Sequence, residues 1–410
     1  MRIWILSDLY YPEQASTGYL LTKTAEGLAE TYNVNVITGP ASESFRKVSV
    51  PRREIHQNVE ILRCSGTSFN KNSIRGRLLN LITRSVAIFW AALWRCKHDD
   101  LILVVTNPPL LPFVALLLSY LKRCKFVLLI HDVYPEAVVA TEIVKLSSWL
   151  IRIGDPLNRL LYNRAARIIT LGRDMSWLAK RKLVHGKDRI RCIPNWADHE
   201  IVQPMYRQDN PLLKQWGIAH RFVILYAGNL GRTHGIEYLA EAARVLRAYH
   251  KIHFVVVGFG AKKQWLETFL DQYQLQNITV LDSLPRSELN DLLNACDVGL
   301  ISFVPGMAGV SVPSRMYNQM TAGKPLIGVT DTWSELAHVI QEERIGWVVR
   351  PGDIAGLVDA IVQAANNPTL CVQMGARAAA ATRQKYHLEQ ANRAYTQLFT
   401  ELFDETKASQ

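Results

Sequence analysis

Cysteine is scarce in this 410-residue chain: Cys64, Cys96, Cys124, Cys192, Cys296 and Cys371 lie far apart, with no Cys-x-x-Cys pair. That excludes a zinc ribbon and a disulfide framework, and fits a reducing cytoplasm. The opening MRIWILSDLYYPE has no cationic lead before a long apolar core, because Ser7 and Asp8 interrupt it, so no export signal is read there. A complete dinucleotide fingerprint is missing too: VVVGFGAKKQW carries Gly258-x-Gly260, but Lys263 stands where the third glycine belongs. This counts against an NAD-dependent dehydrogenase. An unbroken membrane span is also lacking. The uncharged run at residues 101–121 is cut by Asn107, Pro108, Pro109 and Pro112 after five strand-like residues, the pattern of a strand, a turn and a helix.

Acidic residues are short in one half only. Residues 1–200 hold 28 Lys and Arg against 17 Asp and Glu, whereas residues 201–410 are balanced at 19 each, so the net charge of +11 sits wholly in the first half. Such a surplus serves nucleic acid, an anionic membrane surface or an anionic substrate, and a solvated basic surface is the plain alternative. Within it, residues 75–97 join Arg75, Arg77, Arg84, Arg95 and Lys97 to Phe89, Trp90 and Trp94. This is the composition of a helix lying in a membrane interface; a core-facing helix with basic ends would look the same.

What is present is a regular beat. RIWILSD, NVNVITG, LILVVT, KFVLLIH, RIITLG and RIRCIP read as strands separated by helix-period segments; HEIVQPMYRQDNPLLKQWGIAH, residues 199–220, breaks the pattern and reads as a linker; then FVILYAG, HFVVVG, ITVLD and VGLIS resume it. Strands apolar on both faces, alternating with helices, predict an α/β fold of parallel sheets covered by helices on both faces. The length calls for two such Rossmann-like domains, 1–200 and 201–385, followed by a helix at 386–410 placed back on the first domain. Ligands of such sheets bind beyond the carboxyl ends of the strands, which predicts a site in the cleft between the domains.

Two stretches carry the chemistry. In LYAGNLGRTHGIEYL, Gly228, Gly231 and Gly235 follow a strand and lead into a helix, so bare amides can face a phosphate, with Arg232 and His234 adding donors; a tight turn is the simpler alternative. In VPSRMYNQMTAGKPLIGV, Ser314 and Arg315 open a helix from about Met316 that Gly323 closes in the left-handed conformation. Ser314 can cap that helix, and Arg315 can clamp two phosphate oxygens. Asp99 and Asp100, between a basic helix and a strand, do not form a metal motif, and Glu335 reads as the first-turn acid of a helix.

YAGNLGRTHGIEYLAEA, PSRMYNQMTAGKPLIGV, IPNWAD, HDVYPEA and SDLYYPEQASTG, spread over nearly the whole chain, resemble a glycosyltransferase of family 4, closest to the bacterial exopolysaccharide, colanic-acid-type and O-antigen enzymes. The resemblance implies a GT-B architecture of two facing Rossmann-like domains, with nucleotide sugar held mainly by the second and acceptor by the first. It also implies transfer with retention of configuration, no cofactor and no metal. The matching positions assign His131 to the transferring sugar, with Asp132 a local cap. They assign Thr17, Gly18, Gly228, Asn229, Gly231, Arg232, His234, Ser314, Arg315 and Asn318 to the donor, and Glu13 to the acceptor. A solvated turn carboxylate is an equal reading of Glu13. The family's two glutamates, eight positions apart, are here Val310 and Asn318; the amide of Asn318 can still bond a ribose, whereas Val310 cannot contact a sugar hydroxyl. The expected protein is a cytoplasmic glycosyltransferase peripheral to the inner face of the plasma membrane, held there by its basic first domain. Its partners are a nucleotide sugar and a lipid-linked saccharide, with no nucleic acid. A non-enzymatic basic module for membrane or nucleic acid is the second reading, and it leaves the glycine loops of the neutral half unexplained.

Overall fold

The computed structural model describes residues 2–14, 16–41, 50–69, 74–140 and 148–408, and the chain divides into two compact units. The first takes in residues 1–136, 146–194 and 389–410, and the second residues 137–145 and 195–388. The sheet of the first unit contains β1 (Arg2–Ser7), β2 (Asn33–Thr38), β3 (Arg53–His56), β4 (Val59–Arg63), β5 (Leu101–Val105), β6 (Lys125–Leu129), β7 (Arg167–Thr170) and β8 (Ile190–Cys192), in the order β3-β4-β2-β1-β5-β6-β7-β8. Every pairing is parallel except the β3–β4 hairpin at the edge. In the second unit β9 (Phe222–Ala227), β10 (Ile252–Val257), β11 (Ile278–Leu281), β12 (Val298–Ser302), β13 (Leu326–Val329) and β14 (Gly346–Val349) form an all-parallel sheet ordered β11-β10-β9-β12-β13-β14.

The all-apolar strands have the burial they predict. Alternate residues of β9 point to opposite faces: Ile224 and Tyr226 join a core shared with the helices Ile236–Val245 and Ile354–Asn366, while Val223 and Leu225 join a second core with Leu212, Leu213 and Leu292. The stretch 199–220, read from its prolines as a linker, is instead packed into that second core through the buried Val202, Leu212 and Leu213. One of the two prolines starts structure there: Asn210 caps the helix Pro211–Gln215, its Oδ1 accepting from the amides of Leu212 and Leu213 at 3.0 and 3.1 Å. At the C-terminus the helix Leu388–Lys407 reaches first-unit strands and loops. Lys125 Nζ donates to Thr406 Oγ1 at 3.0 Å, Arg167 pairs with Glu405, and Tyr32 stacks obliquely on Phe403.

The basic helix spans Ile74–Arg95. Arg84, grouped by composition with its surface cations, turns inward: it pairs with Asp8 at 3.0 Å and donates to Thr67 O and Ser68 Oγ, fixing the helix to the loop after β1. Asp100 is buried and holds structure, accepting from Trp4 Nε1 and the Lys97 amide, each at 2.9 Å. Among the described residues no helix is long and apolar enough to cross a membrane, and no cluster of His, Cys, Asp or Glu is arranged to hold a metal ion.

Candidate functional site

In the second unit the strand order reverses between β9 and β12, since β10 lies on one side of β9 and β12 on the other. Such a switch point opens a crevice at the carboxyl ends of the strands. The loops after β9 and β10 meet there backbone to backbone. Gly258, at φ +156°, lies so close to Gly228 that a Cβ on it would stand 1.9 Å from the Gly228 carbonyl oxygen, which no side chain tolerates. Leu230 N donates to Phe259 O at 2.7 Å and Lys262 N to Leu230 O at 2.9 Å, tying the two loops together. The amides of Asn229, Gly231 and Thr233 have no acceptor among the described residues, so the β9 loop carries several unpaired backbone donors.

Arg315, first residue of the helix Arg315–Thr321, reaches this cluster. Its guanidinium lies over the Tyr226 ring, 4.6 Å from the centroid, and Nη1 donates weakly to Ala227 O at 3.4 Å. A Cβ on Gly228 would sit 2.6 Å from Nη1, so the loop glycine makes room for the cation. Its other terminal nitrogen, Nη2, is buried with no hydrogen-bond partner among the described residues. A buried unpaired guanidinium nitrogen is costly unless a ligand completes it. Beside it, His234 is driven down to a pKa of about 3 by burial, reinforced by the positive charges of Arg315 and Lys262. It is therefore neutral at pH 7 and offers one donor and one acceptor rather than a charge.

The helix opening differs from the sequence reading. Ser314 has helical backbone angles and makes no side-chain capping bond. The first-turn amides of Met316 and Tyr317 donate back to Pro313 O and Ser314 O at 3.1 and 3.3 Å. Those two amides are therefore not open to a ligand, which leaves the Arg315 side chain as the donor at this end of the helix. Gly323 does end the helix in the left-handed conformation, at φ +69°. Asn318 lies one turn after Arg315 on the same face; its Oδ1 accepts from the buried Asp198 amide at 3.1 Å, which leaves its NH2 as the group for a ligand. Asp198 is in turn clamped by Arg286 at 2.6 Å. Val310 is buried, while Asn229 and Arg232 are exposed on the β9 loop. Glu335 opens the helix Glu335–Glu342 as read, but buried, with Ser334 capping that helix.

In the first unit His131 follows β6. Its backbone amide and that of Asp132 both donate to Thr106 Oγ1, at 3.0 and 3.2 Å, so the turn is fixed from the β5 loop. Its Nε2 is buried without a partner among the described residues, and burial lowers the ring's pKa to about 4. The imidazole is neutral at pH 7. Thr17 and Gly18 lie in the first turn of the helix Ser16–Ala29, where amides have no helical acceptor. Glu13 is buried against Gly18 rather than solvated, so the exposed-turn alternative falls.

Sequence reasoning missed Tyr226, Thr106 and the Asp198–Arg286 pair. Tyr226 alternates correctly for a core position and is one; nothing in LYAG signals that its ring carries a cation from 89 positions further along.

The description "Glycosyl transferases group 1" fits residues 210–381, and "Glycosyl transferase 4-like domain" fits residues 19–196. The chain is 31% identical to WbjE of Pseudomonas aeruginosa over 88% of this chain and 90% of that one, and WbjE is named for glycosyltransferase activity. It is 27% identical to WcaI of Escherichia coli, named for colanic acid biosynthesis, over 89% and 92% of the two chains. Among solved structures it resembles Anabaena HepE in complex with UDP and glucose (TM-score 0.75, 15% identity, 98% and 100% covered). It also resembles a sucrose-phosphate synthase from Thermosynechococcus elongatus (TM-score 0.81, 17% identity, 99% and 100% covered).

Proposed function

Since the chain belongs to the glycosyltransferases of GT-B fold, combining a 4-like first domain with a group 1 second domain, we propose that it takes a sugar from a nucleotide donor and adds it to a lipid-linked saccharide in cell-surface polysaccharide assembly. The observation that carries this is the unpartnered Nη2 of Arg315 beside the glycine backbone of the β9 loop. A nucleoside diphosphate leaving group gains negative charge as the sugar departs. The guanidinium, the loop amides and Arg232 supply the positive charge to meet it without a metal ion. Asn318, on the same helix face, offers its NH2 to the nucleoside. The neutral His131 imidazole is suited to hydrogen-bond and orient the transferring sugar, with Thr17 and Gly18 amides on the donor and Glu13 on the acceptor. Retention of configuration is part of this reading. The name of WcaI supports the polysaccharide context, and that of WbjE supports glycosyl transfer.

The basic first unit is proposed to draw the protein to the inner, anionic face of the plasma membrane, where a lipid-linked acceptor would lie. Thermal shift with a panel of UDP-, GDP- and ADP-sugars tests the donor assignment, because a ligand that binds only the folded state raises the melting temperature by mass action. One nucleotide class should stabilise the wild type and not Arg315→Ala. Absence of a shift with every class would overturn the reading.

A further inference from the structure

The helix Ile74–Arg95 presents a row of apolar side chains to solvent. Leu78, Ile82, Val86, Trp90 and Trp94 recur at every fourth position, each between 42 and 80% exposed, with Leu79 beside them. Steps of four residues advance about 40° beyond a full turn, so the row stays within one half of the helix circumference. The opposite half is core: Asn80, Ser85, Ile88 and Ala92 are buried, and the inward Arg84–Asp8 pair holds that orientation. The adjoining helix Leu111–Leu121 extends the apolar surface with Leu117, Tyr120 and Leu121, each between 45 and 56% exposed.

Charge identifies what covers this face. Residues 64–131 hold nine Lys and Arg, of which Arg84 is turned inward onto Asp8, and only two acids, Asp99 and Asp100. Asp100 is buried under Trp4, and Asp99 is engaged with His98. Arg75 and Arg77 are exposed at one end of the row, Lys97 just beyond the other. A second copy of this chain would bring the same positive charge against itself. A bilayer with acidic headgroups matches both features: headgroups for the basic ends, the interfacial acyl region for the row, and the tryptophans at the boundary.

We infer that the Ile74–Arg95 helix lies in the plane of an anionic membrane interface and inserts its Leu78–Trp94 row. Apolar insertion, beyond charge attraction, then holds the protein to the surface. This deepens the membrane-borne acceptor reading above and rests on it for its purpose.

The test uses the full-length protein and vesicles without substrate. Wild type should partition strongly to phosphatidylglycerol-containing vesicles and weakly to pure phosphatidylcholine, with salt removing only the difference. Trp90→Ser with Trp94→Ser should lower partitioning to both by on the order of tenfold or more. Arg75→Gln with Arg77→Gln should lower only the anionic excess. Brominated acyl chains should quench tryptophan emission in wild type and not in the double-serine variant. Both variants change exposed side chains, and unchanged thermal melts and nucleotide binding verify that they fold. Equal partitioning of the double-serine variant would overturn the inference. So would a concentration-dependent dimer that the serines dissolve, which would assign the face to a second copy. Transfer to a lipid-linked acceptor in detergent, measured alongside, separates the two ideas: vesicle binding without such transfer removes only the acceptor reading, and transfer without vesicle binding removes only this one.

Discussion

Replacing Arg315 with methionine should remove nucleotide binding while leaving the unliganded protein nearly as stable as before. The methionine keeps much of the length and apolar body of the side chain and deletes the charge. In the free protein the guanidinium has one long bond, to Ala227 O at 3.4 Å, and one contact over the Tyr226 ring, while Nη2 is buried and unpaired. The ring contact is worth about 1 to 2 kcal/mol. The buried unsatisfied nitrogen costs about 1 to 3 kcal/mol. These offset, so unfolding free energy should change by less than about 2 kcal/mol in either direction. With a diphosphate bound, one or two charged hydrogen bonds appear at about 1.5 to 3 kcal/mol each, so losing one weakens affinity about ten- to a hundredfold. Arg315→Lys should fall between, having the charge without the fork. Removing the arginine should also raise the His234 pKa from about 3, since its charge is one cause of the depression, although burial, the larger cause, remains. Titration calorimetry with the nucleoside diphosphate and urea unfolding of the free protein measure the two quantities separately. Wild-type affinity in Arg315→Met, or a loss of several kcal/mol in the free protein, would refute the assignment of this arginine to an anion.

Three further outcomes are expected. His131→Ala should reduce turnover on the order of a hundredfold while donor affinity stays nearly constant, because the imidazole is assigned to the sugar and not the diphosphate; an equal loss in both constants would contradict this. Gly258→Ala should destabilise by about 2 kcal/mol or more, since its Cβ would meet the Gly228 carbonyl at 1.9 Å and its φ of +156° disfavours any side chain; a melting temperature like that of the wild type would show that the loops can separate. Finally, the His131 ring, held down to about 4 by burial, binds its proton less readily folded than unfolded. Relative to a His131→Asn variant, the wild type should lose stability as pH falls from about 6.5 towards 4 and level off below; a constant difference across that window in chemical denaturation would refute it.

Much of the fold is legible because parallel strands buried on both faces are written as apolar runs: Leu101–Val105 is unbroken, and Ile252–Val257 is interrupted only by His253. Backbone conformation is most legible where it is local: Gly228 and Gly235 after β9 and Gly323 at the end of its helix all take positive φ. What escaped is long-range. Arg84 meets Asp8 across 76 positions, and composition could only count it among surface cations. Ser314 reads as a helix cap, and only the structure shows that its side chain makes no capping bond while the Pro313 and Ser314 carbonyls take the first two amides. Prolines at 204 and 211 looked like a linker, yet one starts a capped helix whose leucines are buried. The composition of residues 75–97 fits an interfacial helix and a core-facing one alike; burial decides between the faces and turns the tryptophan side outward.

The central claim is transfer of a sugar from a nucleotide donor by Arg315-assisted departure of the diphosphate. It is tested most directly by incubating purified protein, in the presence of EDTA, with radiolabelled nucleotide sugars and a polyprenyl-diphosphate-linked saccharide, and following the label into the organic phase. The account predicts that one donor class transfers label with retained anomeric configuration, that an equivalent of nucleoside diphosphate is released, and that Arg315→Met reduces both together. No transfer from any donor, or transfer that EDTA abolishes and a divalent cation restores, would contradict it.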